Sequence, residues 1–242
     1  MFKFLQVPAK RLEQTIVNFG SKVQSNPLER ILVGSDQDIG GFSTAHVDLV
    51  ESEHEGPNDP RSFGRFHGNL NLDLPPARPD VVQSGYAMFR TKEIESGWFG
   101  LGGSEYLDWE SCTHMLLKVR GDRRKYFVNL QAESAFPTDI YQHRLFLRNP
   151  GNWETVIVPL HDFILTNYGV IQQQSPLDLR YIKTVGIGLI DKQYGPFSLD
   201  IDWIKVVGGD VLSKLVKDGD KRQANNTGKL PVTPGKRLSI ND

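Results

Sequence analysis

The chain has 242 residues, and its hydrophobic share of 38% together with 23 glycines is typical of a globular protein, which excludes a disordered, collagen-like or disulfide-scaffold chain. Its 28 Lys and Arg residues nearly balance 29 Asp and Glu residues, and the net charge of −1 gives no global field that would favour nucleic acid or an anionic membrane. Cys112 is the only cysteine, so an intramolecular disulfide is excluded and a cysteine-ligated zinc site is disfavoured, and no apolar run approaches the ~20 residues that span a bilayer.

Residues 1–30 are predicted to form an N-terminal amphipathic helical arm. Apolar residues recur there at helical spacing and form one stripe: Leu5, Leu12, Ile16, Phe19 and Val23. The charged residues up to position 24 are all basic except for Glu13. Two interpretations stay open, a helix that packs across the main domain and a mitochondrial presequence, although the segment is poor in Arg and Ser for a presequence.

Residues 31–210 are predicted to form one all-β domain. Short alternating runs are separated by Gly, Pro, Asn and Asp at intervals of roughly 8–12 residues, which is typical of a sandwich or barrel. The candidate strands span residues 43–50, 68–74, 86–91, 115–120, 126–131, 141–147, 154–159, 184–189 and 197–207. Helices that alternate with strands are absent from the pattern, which disfavours a parallel α/β sheet.

Three segments are predicted to lie outside regular structure. Residues 51–65 and 75–79 are rich in Gly or Pro and read as loops. Residues 211–242 are predicted to form a polar, flexible tail, because no aromatic residue follows Trp203 and the composition becomes polar. Contact of its basic residues with an anionic surface is the alternative to a solvated tail.

No cofactor fingerprint or catalytic motif is found, so no cofactor, no metal and no enzymatic activity are predicted. Asp36 and Asp38 resemble half of a calcium loop, but Gly40 stands at the next alternate position, which favours a tight turn over a calcium site. Asp200 and Asp202 alternate along one strand, where they fit charges on a solvated face better than the carboxylate pair of a glycosidase.

A set of polar residues alternates with apolar ones along four candidate strands. If these strands are neighbours, one sheet face carries Arg90, Lys118, Arg120, Asn129, Gln131, Gln142 and Arg144. Amide and guanidinium groups in a row are suited to hydrogen bonding with sugar hydroxyls, a carboxylate or a polar peptide. The face is therefore a candidate partner- or ligand-binding site, and an internally hydrogen-bonded, partly covered sheet face is the alternative.

Seven short motifs, taken in order, resemble the complex I intermediate-associated protein 30 family. They are SDQDIGGFS at 35–43, GYAMFR at 85–90, RGDRRKY at 120–126, NLQ at 129–131, DIYQHR at 139–144, WETVIVPLHDF at 153–163 and GPFSLDID at 195–202. The resemblance covers about residues 31–207. It implies a jelly-roll β-sandwich of the galactose-binding-like type, similar to carbohydrate-binding modules.

The resemblance also implies a function: a non-enzymatic assembly factor, or chaperone, for mitochondrial respiratory complex I, on the matrix side of the inner membrane. The implied partners are complex I membrane-arm subunits and other assembly factors, bound transiently through protein–protein contacts. These partners would hold the protein peripherally at the inner membrane, and neither nucleic acid nor a small-molecule substrate is expected.

A carbohydrate-binding module that recognises a sugar on its concave sheet face is the alternative function, on fold analogy alone. Such modules stack sugars on aromatic side chains, and the alternation around Trp98, Trp109 and Trp153 does not place these rings on one surface. An enzyme is disfavoured, because no dinucleotide-binding fingerprint is present.

Overall fold

The computed structural model describes residues 12–20, 26–52, 59–95 and 104–217. The strands are β1 (Glu13–Asn18), β2 (Ile31–Ser35), β3 (Thr44–Glu51), β4 (Ser62–Leu70), β5 (Ala87–Thr91), β6 (Ile94–Glu95), β7 (Ser104–Glu105), β8 (His114–Gly121), β9 (Tyr126–Ala132), β10 (Asp139–Arg144), β11 (Glu154–Pro159), β12 (Ile164–Asn167), β13 (Val170–Ile171), β14 (Ile182–Leu189) and β15 (Gly195–Val207). Short 3₁₀ helices span Pro27–Arg30, Asp36–Ile39 and Leu160–Asp162, and residues 209–217 are α-helical.

The strands form two large antiparallel sheets. In the first sheet the order is β11-β8-β15-β4-β3, and β1 pairs with the C-terminal half of β15. In the second sheet the order is β13-β12-β10-β9-β14-β5-β2. β6 and β7 form a separate two-stranded ribbon. The predicted all-β sandwich is confirmed.

An aromatic cluster joins the two sheets at the centre of the core. The Phe66 ring on β4 lies 5.1 Å from the Phe89 ring on β5 and 5.0 Å from the Phe197 ring on β15, measured between centroids. The Tyr126 ring on β9 lies 6.5 Å from the Phe66 ring. All four side chains are buried. Edge-to-face and tilted pairs of this kind contribute roughly 0.5–1.5 kcal/mol each beyond their area burial.

The predicted N-terminal helix is wrong for the residues that the structure describes. Residues 13–18 form β1, which runs antiparallel to β15 with Glu13 opposite Val207 and Asn18 opposite Trp203. β4 pairs with β15 only as far as Ile201, so the rest of β15 offers an open edge that β1 fills. Burial of Val17 and the adjacent Phe19 outweighs the helical spacing. Residues 1–11 and 21–25 of the predicted arm lie outside the described residues.

The last strand leads directly into the helical segment at 209–217, which overlaps the start of the predicted tail. Residues 218–242 of that tail lie outside the described residues, and the division into arm, sandwich and tail stays a prediction. Across the described ranges, no helix is both long enough and apolar enough to cross a membrane.

A buried ion pair holds the β8–β9 turn against the β14–β15 turn. Arg124 donates from Nε and Nη2 to the two carboxylate oxygens of Asp191 at 2.7 and 2.8 Å. Its Nη1 and Nη2 groups also donate to the main-chain carbonyls of Gln193, Gly195 and Pro196. Burial raises the pKa of the Asp191 carboxyl, but the hydrogen bonds from Arg124 outweigh it and hold this pKa below its ordinary value. The turn that leads from the second sheet into the first is thereby fixed.

The substitution Asp191→Ala is expected to lower the free energy of unfolding by about 3–5 kcal/mol, because it leaves the Arg124 guanidinium buried without its carboxylate. Urea denaturation of the purified chain measures the change. The control is Asp178→Ala, which removes the partner of Arg180 in an exposed pair and should leave the unfolding midpoint unchanged. Equal midpoints for the two variants would contradict this role of the buried pair.

Candidate functional site

The outer surface of the second sheet carries a pocket of about 320 Å³, which we call the amide pocket. Four of the seven sequence-predicted residues line it: Arg90 on β5, Asn129 and Gln131 on β9, and Gln142 on β10. They alternate with residues such as Phe89 that point into the core, as the pleat of a strand requires. The structure thus brings these four side chains together on one sheet face.

The centre of the amide pocket is a row of residues that crosses four strands. Arg90 is opposite Gly186 on β14, and Gly186 is opposite Asn129. Asn129 is in turn opposite Gln142. A Cβ atom at Gly186 would overlap the carbonyl oxygen of Phe89, so only glycine fits at this point of close approach. The floor between Arg90 and Asn129 is therefore free of side chains.

The amides of the pocket are held by hydrogen bonds among themselves and to threonines. Gln142 Nε2 donates to Asn129 Oδ1 at 2.9 Å, and Thr166 Oγ1 donates to Gln142 Oε1 at 3.1 Å. Thr184 Oγ1 donates to Gln131 Oε1 at 3.3 Å, and Gln131 Nε2 donates to the Pro137 carbonyl at 2.9 Å. Because these hydrogen bonds hold the amides in place, the face is preorganised for hydrogen bonding.

Arg90 differs from its amide neighbours in lacking a partner at a buried atom. Its Nη1 is buried and has no hydrogen-bond acceptor among the residues that the structure describes. It is also the single charged side chain among the described residues that line the pocket. The pocket therefore has one uncompensated positive charge.

Lys118 and Arg120 do not belong to this pocket, which corrects the prediction of one face with seven residues. Both lie on β8 in the first sheet, where Arg120 Nη2 is 2.7 Å from Asp200 Oδ2 and Lys118 Nζ is 2.9 Å from Asp202 Oδ2. Arg65 Nε, on β4, also contacts Asp200, at 2.7 Å. Alternation shows which residues share a face of one strand, but β8 and β9 are consecutive in the chain and lie in different sheets. Asp200 and Asp202 therefore form ion pairs on the first sheet.

Arg144 lies at the end of β10, beyond the amide pocket. Its guanidinium carbon is 4.9 Å from the centroid of the Phe146 ring, a cation–π distance. It lines a second depression of about 380 Å³ together with Arg123, Arg124 and Arg148. The structure therefore places Arg144 on the same sheet as the amide pocket but in a separate depression rich in arginine.

A residue whose role the sequence did not reveal, Asp36, fixes the entry to β5. Asp36 is fully buried, and its carboxylate accepts hydrogen bonds from Ser43 N and Ser43 Oγ, both at 2.7 Å, and from Gly85 N at 2.6 Å. The carboxylate thus ties the turn after β2 to Gly85, two residues before β5, the strand that carries Arg90. Asp38 is exposed, and no group of three His, Cys, Asp or Glu side chains within the described ranges is arranged to hold a metal ion.

Trp109 and Trp153 do not form an exposed platform. Trp109 is fully buried and donates from Nε1 to Gln14. Trp153 packs edge-on against Phe63, with Arg120 4.9 Å from its ring centroid, on the first sheet. Trp98 lies outside the described residues. None of these rings lines the amide pocket.

Comparison with known proteins identifies relatives over most of the chain. The family model described as complex I intermediate-associated protein 30 matches residues 17–201. A Neurospora crassa protein named complex I intermediate-associated protein 30, mitochondrial, is 36% identical over 208 residues, which cover 76% of this chain and 74% of that protein. The mouse protein of the same name is 31% identical and the Drosophila melanogaster one 30% identical. The matches span 53% of the mouse protein and 58% of the fly protein.

Solved structures share the fold at low sequence identity. A family 11 carbohydrate-binding module of a Clostridium thermocellum cellulosomal cellulase superposes with a TM-score of 0.53 at 14% identity, covering 81% of this chain and 95% of the module. The same module family in complex with a β-1,3-1,4-mixed-linked tetrasaccharide gives a TM-score of 0.52 at 13% identity, again covering 81% of this chain and 95% of the module. The predicted jelly-roll resembling carbohydrate-binding modules is confirmed as a fold.

The substitution Asp36→Ala is expected to lower the free energy of unfolding by about 3 kcal/mol, because it leaves the backbone N–H groups of Ser43 and Gly85 buried without an acceptor. Chemical denaturation followed by tryptophan fluorescence measures the loss. Asp38→Ala is the matched control two residues away, on an exposed side chain, and should behave as the unmodified chain. An Asp36→Ala variant as stable as the Asp38→Ala variant would exclude the proposed tie to β5.

Proposed function

The chain belongs to the complex I intermediate-associated protein 30 family, and we propose from this membership that it acts in the assembly of mitochondrial complex I. The single observation that carries the proposal is the match of the family over residues 17–201. The relatives from Neurospora, mouse and fly are named as complex I intermediate-associated and mitochondrial. The finer proposal is a non-enzymatic chaperone that binds membrane-arm assembly intermediates transiently, on the matrix side of the inner membrane.

The chemistry of the amide pocket supports binding rather than catalysis. Its charged and amide groups are Arg90, Asn129, Gln131 and Gln142, which are side chains that donate or accept hydrogen bonds. General acid–base catalysis uses carboxyl, imidazole, amine, phenol or thiol groups that transfer protons, whereas the three amides of the pocket form hydrogen bonds with their neighbours. The proposed role of the pocket is therefore to recognise a surface of a protein partner.

The charge balance supports a peripheral, partner-mediated position at the inner membrane. Anionic membrane surfaces attract clusters of basic residues, and the net charge of this chain is −1. In the proposed arrangement complex I membrane-arm subunits and other assembly factors hold the protein at the membrane through protein contacts.

Removal of the protein from its native cells is expected to stop complex I maturation at a membrane-arm intermediate. Blue native electrophoresis of mitochondria measures the loss of complete complex I with an in-gel NADH dehydrogenase stain and the gain of the intermediate by immunodetection of membrane-arm subunits. Re-expression of the full chain should restore the complete complex, and complex III serves as the unaffected control. Normal complex I in the deletion strain would refute the proposed function.

Sugar recognition is a second candidate function, favoured by one feature of the pocket. The Tyr168 ring at its rim is 82% exposed and lies beside the amide groups. An exposed ring next to hydrogen-bonding amides is suited to stacking and bonding with a sugar. It is a single ring, however, and the tryptophans of the described ranges lie elsewhere.

Calorimetric titration of the purified chain with the β-1,3-1,4-mixed-linked tetrasaccharide distinguishes the two candidates. The assembly-factor proposal expects no saturable heat at millimolar sugar. Saturable binding that disappears in Tyr168→Ala, with an unchanged melting temperature, would favour the carbohydrate-binding function instead. The control variant is Tyr194→Ala, which removes an exposed tyrosine outside the pocket.

A further inference from the structure

The charged groups of the two sheets are balanced differently. On the first sheet Arg65 and Arg120 both contact Asp200, and the Arg124–Asp191 pair lies between the turns. In the amide pocket Arg90 has a buried Nη1 without an acceptor, and no described lining residue is acidic. Burying part of a guanidinium without a carboxylate is unfavourable. A ligand that brings a negative charge would remove this cost on binding.

We propose that the amide pocket receives a carboxylate of a protein partner, an Asp or Glu side chain carried on an extended segment, and that Arg90 pairs with it. This inference rests on the proposed function, because it assigns the chemistry by which the assembly factor recognises its partner. It goes beyond that function in naming the group that is bound and the residue that binds it.

A second donor lies beside Arg90, across the glycine floor. Asn129 Oδ1 accepts from Gln142, which orients the amide so that its Nδ2 faces β14. This Nδ2 is 2.9 Å from the position a Cβ would take at Gly188. Since β14 lies between β9 and β5, Asn129 and Arg90 stand opposite Gly186 on its two sides, and both side chains line the pocket. A carboxylate accepts hydrogen bonds only, and so matches two donors that line one pocket.

The single charge favours a carboxylate over a phosphate. A phosphate group carries about −1.5 to −2 charges at neutral pH, which one arginine does not neutralise. A sugar hydroxyl also donates a hydrogen bond and therefore needs an acceptor in the pocket. Two candidate acceptors, Gln142 Oε1 and Gln131 Oε1, each already accept a hydrogen bond from a threonine. A monoanionic side chain satisfies the donors and requires no further acceptor.

The size and lining of the pocket favour a side chain that arrives with its own backbone. A volume of about 320 Å³ is larger than a carboxylate group needs. Met88, Ile140 and Tyr168 supply apolar walls beside the donors, and these walls are suited to packing against the methylene groups and flanking residues of an extended segment.

Substitution of Arg90 combined with carbodiimide coupling tests the proposal in mitochondria. The tagged full chain, R90K and R90M are expressed in cells that lack the endogenous protein, and complex I subunits are quantified after affinity purification. R90M removes the charge and is expected to reduce recovery of these subunits about tenfold, the effect of losing one charge-assisted contact. R90K keeps the charge and should retain most of the recovery.

Carbodiimide joins an amine to a carboxylate without a spacer. The lysine amine of R90K would face the proposed carboxylate and could be coupled to it. Mass spectrometry should find an amide bond between position 90 of R90K and an Asp or Glu of a co-purified complex I protein. R61K, which changes an exposed arginine that precedes β4, is the matched control and should give no such product. R90K purified alone should form no internal link at position 90.

The outcomes separate the inference from the function on which it rests. If the unmodified chain recovers no complex I protein, the proposed function fails. If it does recover them and R90M, with an unchanged melting temperature, recovers them equally well, the function stands and the carboxylate proposal is overturned. Coupling of position 90 to a phosphorylated residue, or no coupling there while R90K still recovers the partner, would likewise overturn the carboxylate proposal.

Discussion

The packing of the two sheets against each other determines which side chains remain on the outer surface for recognition. Phe66 and Phe197 from the first sheet meet Phe89 and Tyr126 from the second, and every strand that contributes to this core must direct alternate side chains inward. Only the outward half of each strand is then available for recognition. On β5 this constraint separates Phe89, which is part of the core, from Arg90, which lies in the amide pocket.

The same constraint explains how far the sequence predicts the structure. Alternation is strong along β5, β8, β9, β11 and β15, so their positions follow closely from the sequence. β4 begins at Ser62, within the predicted loop at 51–65, because Gly64 resembles a loop residue, and the candidate strand at 68–74 overlaps only its end. In the structure a Cβ at Gly64 would come within 2.6 Å of the Phe19 ring, and one at Gly68 would overlap the backbone of Thr44. These glycines permit close packing within a strand and do not mark a turn.

The candidate site could be predicted only in part, because alternation carries no information about strand neighbours. Asn129 and Gln142 were expected on one face, and pairing of β9 with β10 places them opposite each other. Arg120 has the same alternation, but its strand pairs with β15 and β11, and the guanidinium contacts Asp200 there. The partner of a charged side chain depends on contacts between residues far apart in the chain. The balance of charge at each site therefore becomes visible only in three dimensions.

Preorganisation connects this architecture with transient binding. Asp36 fixes the start of β5, Gly186 keeps the floor open, and the Gln142–Asn129 hydrogen bond orients the amide, so the proposed partner would meet donors that are already in place. A site of this kind loses little conformational freedom on binding and needs few contacts for recognition. The proposed ion pair of Arg90 would by itself add only modest affinity at a partly open pocket. Such a surface is suited to the transient binding that is proposed for an assembly factor.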